Sequence, residues 1–223
     1  IGIKPSGSQD PYALRRQALG ILSILLDQKL DINLEQLISD ALDNYSHLAF
    51  DKAEVTSQIM DFFIERIKNL FKDLGIRYDV IDAVLSSNLN SISDIHTRAV
   101  ELNNWLQKEE LVEMLTAFNR VSTLAQKAES DRVEESLLKE DAEIKLNAGF
   151  KEIKAQVEGF LANKEYNKAL DAFASIKPLV DNLFDNVMIM DKDEAVKENR
   201  LGLLKQIYDT MLTICDLSKI VYK

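Results

Sequence analysis

Only 3 prolines and 7 glycines occur in 223 residues, too few for the turn-dense chains of sandwiches and barrels. No apolar–polar alternation runs beyond a few positions, and no repeat period stands out. The lone cysteine, Cys215, has no partner for an internal disulfide, which fits a reducing compartment. Its place in the apolar run "TMLTICDL" makes it a small core residue and not a nucleophile. A signal peptide is missing, and no apolar run approaches the ~20 residues that span a bilayer. These absences predict a cytoplasmic protein without membrane contact.

Catalytic hardware is scarce as well. There are 2 histidines, His47 and His96, and neither has a second histidine or a cysteine at metal-ligand spacing. Both read as structural, His47 at a helix end or partly buried. Gly2, Gly7 and Gly20 do not have the spacing that cradles phosphate, and no nucleophile elbow occurs. The many carboxylate pairs sit on highly charged helical segments, where they are solvated faces. The sequence therefore predicts no catalytic residue, no metal and no cofactor held by this chain.

What is present is a mixture rich in Leu, Ala, Lys, Glu and Asp, the composition of helices. Apolar spacing of three and four residues predicts an all-α chain. The first helix is expected from Pro11 to about Gln28, with Asp10 as its cap; Asp10, Arg15 and Arg16 are assigned structural roles. Further helices are expected at Leu34 to about Leu48 behind Asn33, Asp51 to Leu74 with Gly75 as its stop, a short one from Asp79, one capped at Ser91 or Ser93, and Glu109 to Lys127. Glu129–Lys145 holds seven acidic and three basic residues and reads as an exposed connection. A helix follows from Glu140 to Asn163. The pattern from Tyr166 to Phe184 contains Pro178, which should kink or split it. "DNVMIMD" (Asp185–Asp191) reads as a loop with exposed methionines, and a last amphipathic helix runs from Asp193 to Ile220.

The net charge is −10 and the isoelectric point about 4.8, which argues against indiscriminate nucleic-acid binding. The stretch Lys197–Lys223 goes the other way, with five basic and three acidic residues. A helix start carrying Lys197, Asn199, Arg200 and Lys205 beside the "DNVMIM" loop could hold phosphates while bases pack on apolar side chains. These four are the candidate nucleic-acid-binding residues. The plainer alternative is that Arg200 makes an internal salt bridge.

Long segments carry a resemblance: "SGSQDPYALRRQALGIL", "IRYDVIDAVL" and "LFDNVMIMDKDEAVKENRLGLLKQI" ending in "DLSKI". Throughout its length the chain resembles the C-terminal third of the β subunits of bacterial two-subunit glycyl-tRNA synthetases. The resemblance implies that Ile1 to Gln9 is an internal loop of a longer chain. It also implies two parts: residues 1–108 as the end of an HD-like helical domain with a middle section, and residues 109–223 as a helical-bundle anticodon-binding domain of the DALR type, shared with arginyl-tRNA synthetases. The HD-like part lacks a His-Asp dipeptide, so hydrolase chemistry is not expected of it. The implied function is recognition of glycine tRNA for an ATP-dependent ligase whose catalysis lies in a separate α subunit, with two copies of each subunit. The rival reading is a non-catalytic helical scaffold that docks other proteins.

Overall fold

The computed structural model of the chain describes residues 10, 12–87, 89, 91–108 and 111–221. Among these, regular structure is helical apart from one isolated bridge between Asn33 and Ser91. The helices are α1 (Leu14–Asp27), α2 (Leu34–Asp43), α3 (Lys52–Asp73), α4 (Tyr78–Leu85), α5 (Ile92–Trp105), α6 (Leu111–Ala125), α7 (Asp141–Ala162), α8 (Tyr166–Ala174), α9 (Lys177–Asn186) and α10 (Glu194–Leu212). Short 3-10 turns cover Glu135–Leu137 and Leu217–Lys219. The chain divides into two compact units, Ile1–Val100 and Glu101–Lys223.

In the first unit, α3 packs against α1, α2 and α4. Phe63, Ile67 and Phe71 are its buried stripe, four residues apart and so on one helical face. The expected start of α1 needs correction. The helix begins at Leu14; Pro11 lies outside the described residues. Asp10 still binds the first turn: the Leu14 and Arg15 amides donate to its carboxylate at 2.8 and 2.9 Å. Asn33 and Asp51 cap α2 and α3 by accepting from the Gln36 and Glu54 amides. The second helix is also shorter than expected, since Asn44–Leu48 continues only as turns.

Gly75 ends α3 with φ +83°, a region L side chains avoid. The Gly75 amide donates to Lys72 O at 3.0 Å and the Ile76 amide to Phe71 O at 3.1 Å, the paired bonds of a Schellman motif. The same two bonds close α1 at Lys29 (φ 49°) and α7 at Lys164 (φ 56°), where a lysine bears the left-handed strain.

In the second unit, Phe118 of α6 stacks on Phe173 of α8, with ring centroids 4.8 Å apart. Trp105 is buried and donates its indole N–H to Asp171 at 2.7 Å. Pro178 splits the expected Tyr166–Phe184 helix, sitting in the first turn of α9, where a missing amide hydrogen costs nothing. The expected amphipathic last helix is different in kind. α10 packs against both α6 and α7 and is buried almost all round, with Asn199, Arg200 and Thr210 among its buried residues. It is the central helix of this unit, and it stops at Leu212. Cys215 is buried just beyond it.

Glu129–Glu140 is largely exposed, as expected, yet it is tied to α10. Gln206 donates to Asp131 O at 2.7 Å, and Asn199 accepts from the Glu134 amide at 2.6 Å while its own amide donates to Glu134 O. Gly202 allows this approach: a Cβ there would stand 2.5 Å from Arg132 O. A polar, acidic segment thus covers the third side of α10 with its backbone and leaves its carboxylates outward.

Candidate nucleic-acid interface

The four side chains expected at the start of α10 have different fates. Arg200 is 5% exposed. Its Nε donates to the buried Glu143 of α7, and its Nη1 to Met188 O at 2.9 Å and to the Asp191 carboxylate at 2.7 Å. Burial alone would lower this guanidinium, but Glu143 and Asp191 outweigh it and hold the group above its ordinary value. Glu143 is itself fully committed, closing a capping box at the start of α7 and accepting from the Lys139 and Glu140 amides. Arg200 is therefore the internal salt bridge of the plainer alternative. Asn199, also buried, reads the 134 backbone and faces no solvent. Spaced polar residues look alike on a solvated helix and on a central one; only the covering elements separate the two cases.

Lys197 and Lys205 stay nearer the surface, with side chains 20% and 33% exposed. Lys197 pairs with Glu194 and Glu198, and the Glu194 carboxylate is the main reason that its ammonium is held above the ordinary value. Lys205 pairs with Asp209 at 3.0 Å. The α10 N-terminus is capped by Asp193, whose carboxylate accepts from the Ala195 and Val196 amides.

The "DNVMIM" loop does carry exposed methionines. Val187 and Ile189 are buried, while Met188 and Met190 are 75% and 47% exposed. This alternation is that of an extended segment resting one face on a core. Arg200 bolts the segment down from behind through Met188 O and Asp191. The Asp191 carboxyl is held below its usual value, first by the Asp193 amide and then by Arg200.

Met188 and Met190 line a cleft of about 550 Å³ against α6. Across it stand Asn119, Thr123 and Arg120, with the Arg120 guanidinium 4.0 Å from the centroid of the Phe184 ring. Arg120 is exposed. Sequence reading missed it, because a single arginine in "TAFNRVSTL" has no basic neighbour to mark it. The one available signal was the loop that faces it.

The histidines lie elsewhere. His96 packs edge-on against Phe71, with its pKa lowered by burial, and His47 is exposed beside Tyr45. Asp10 and Arg15 lie close to Arg66, whose pKa is lowered by burial and then by Arg15, while Asp10 opposes the shift; Arg16 is exposed.

Residues 1–86 match the family model of the glycyl-tRNA synthetase beta subunit, and residues 81–221 match that of the DALR anticodon binding domain. The whole chain is 73% identical to the glycine–tRNA ligase beta subunit of Clostridioides difficile. It is 39% identical, over 99% of its length, to that of Desulforamulus reducens and 40% identical, over 98%, to that of Desulforudis audaxviator. In each case the chain spans 32% of the relative's length.

Proposed function

We propose that this chain, which belongs to the DALR anticodon-binding domain family over residues 81–221 and continues from a segment of the glycyl-tRNA synthetase beta subunit family over residues 1–86, is the tRNA-reading part of a glycine–tRNA ligase. The observation that carries this reading is the reach of the DALR match, which takes in the whole bundle around α10 together with the Met188 loop. Attachment of glycine to its tRNA consumes ATP, and that chemistry belongs to a partner α subunit, two copies of each subunit forming the enzyme. The chain itself binds neither ATP nor a metal. A cytoplasmic location goes with this role; among the described residues no helix is long and apolar enough to cross a membrane.

Within this reading, Lys197 and Lys205 are peripheral phosphate contacts and the methionine cleft is the apolar neighbour. Arg200 and Asn199 act behind them, setting the loop and the 129–134 segment in place. The test is a titration of the chain with glycine tRNA and with an anticodon-changed variant at several salt concentrations. Binding that weakens with salt and discriminates between the two RNAs supports the reading. Equal affinity for both at every salt concentration overturns it.

One observation favours protein docking for the first unit. Ile21, Leu37, Tyr45 and Leu48 are exposed and line an apolar cleft of about 540 Å³, a surface suited to a protein partner and not to phosphates.

A further inference from the structure

We infer that the cleft between α6 and the 187–190 segment seats one unstacked nucleobase of a single-stranded RNA loop, held between the Arg120 guanidinium and the Met188 and Met190 thioethers. This inference rests on the tRNA reading and adds to it a place and a mode of contact.

Four features carry it. First, the Arg120 guanidinium lies 4.0 Å from the centroid of the Phe184 ring. A planar guanidinium backed by an aromatic ring has a second face to offer, and stacking on such a plane is a common way to hold a splayed base. Second, Met188 is the most exposed large apolar side chain among the described residues, at 75%. Thioethers are polarisable and make favourable contacts with aromatic rings. Third, beside Arg120 the α6 wall carries neutral hydrogen-bonding groups, Thr116, Asn119 and Thr123, which suit base edges. Fourth, the wall is rigid where it must be. Val187 and Ile189 are buried on either side of Met188, and Arg200 holds Met188 O from behind. The cleft is thus prepared before any ligand arrives, which lowers the ordering cost of binding.

The charge pattern favours RNA over an apolar peptide. The charged side chain lining the cleft is the cation Arg120, where a nucleotide's phosphate can meet it; beyond the lining, exposed Lys192 stands among the exposed Asp185, Asp193 and Glu194.

The experiment is a double-mutant cycle between the 223-residue chain and an RNA hairpin copying the anticodon stem-loop of a glycine tRNA. Each unpaired loop position is made abasic in turn. Removing the inserted base should weaken binding about tenfold, within the ~1–3 kcal/mol that base stacking contributes. Arg120→Ala and Met188→Ala should each weaken the intact hairpin several-fold. Each should make that one abasic change nearly silent, because the two losses are the same loss. Arg120→Lys should keep the salt dependence and still lose the coupling, since it keeps charge without the plane. Both Arg120 and Met188 are exposed, and circular dichroism checks that the variants stay folded.

If the hairpin is bound and anticodon changes are discriminated, but the losses multiply at every loop position, the cleft is not the seat and the tRNA reading stands. The cleft is likewise not the seat if Arg120→Ala and Met188→Ala bind like the parent. If the unaltered chain binds the hairpin no better than its duplex stem, the tRNA reading falls and the nucleobase seat falls with it. Capture of an apolar peptide by the cleft, with no affinity for the hairpin, overturns the inference in favour of protein docking.

Discussion

Two backbone positions make a matched pair of experiments at the residue scale. Lys29 and Gly75 both occupy the left-handed position that closes a helix, with φ 49° and 83°. That conformation costs an L residue about 1–2 kcal/mol, and glycine returns part of the gain through its freer unfolded chain. Lys29→Gly should therefore stabilise the chain by about 0.5 kcal/mol, while Gly75→Ala should destabilise it by about 1 kcal/mol. Urea denaturation of the two variants should give opposite signs. Asp10 acts at the opposite end of α1, through its side chain. Its carboxylate takes both the Leu14 and the Arg15 amides, so Asp10→Ala should cost about 1 kcal/mol. Thermal unfolding of that variant checks the value, and an unchanged melt would mean that this end of α1 is held some other way.

Elements meet at Arg200. One guanidinium joins α10 to the first turn of α7 through Glu143 and to the 187–191 segment through Met188 O and Asp191. Removing it leaves Glu143 buried, charged and short of a partner, so Arg200→Met should lower stability by about 3–5 kcal/mol. Arg200→Lys should cost less, because it keeps a charge facing Glu143, yet one ammonium cannot serve α7 and the loop together. Chemical denaturation ranks the three proteins, and amide exchange at 187–191 should quicken in both variants. An exposed phosphate clamp would behave otherwise, since changing a surface cation scarcely alters stability.

For the molecule as a whole, the proposed tRNA reading requires a chain of net charge −10 to bind a polyanion. Its cations must act locally, within a Debye length of about 10 Å at 0.1 M salt. Lys197→Glu combined with Lys205→Glu should weaken tRNA binding and flatten its dependence on salt by about one to two released counterions. Melting should fall only slightly, because the pairs lost are of modest worth and each like-charge neighbour created beside Glu194, Glu198 or Asp209 costs about 0.2–0.5 kcal/mol. Binding that survives this change at low and moderate salt would move the phosphate path to another face. A second expectation follows from the proposed division of labour. The purified chain, free of α subunit, should give no ATP–pyrophosphate exchange with glycine, and measurable exchange would place adenylation chemistry in this chain.

The helices and most of their ends were legible from local pattern. Asn33 and Asp51 cap where spacing put them, Gly75 stops α3, Pro178 divides α8 from α9, and Val187–Met190 lies outside any helix. Capping bonds, left-handed stops and a missing amide hydrogen act within a turn or two, so a sequence window contains their causes. Long segments, once compared with known proteins, also carried the family. The surface was another matter. Periodicity gave α10 a solvated face, and that face is closed by residues about 65 positions away, where Glu134 meets Asn199. Whether Arg200 grips a phosphate or Glu143 depends on which elements cover it, and covering is decided by long-range packing. Tertiary structure alone could therefore turn Arg200 into the bolt behind the Met188 loop and set Arg120, in another helix, across the cleft from it.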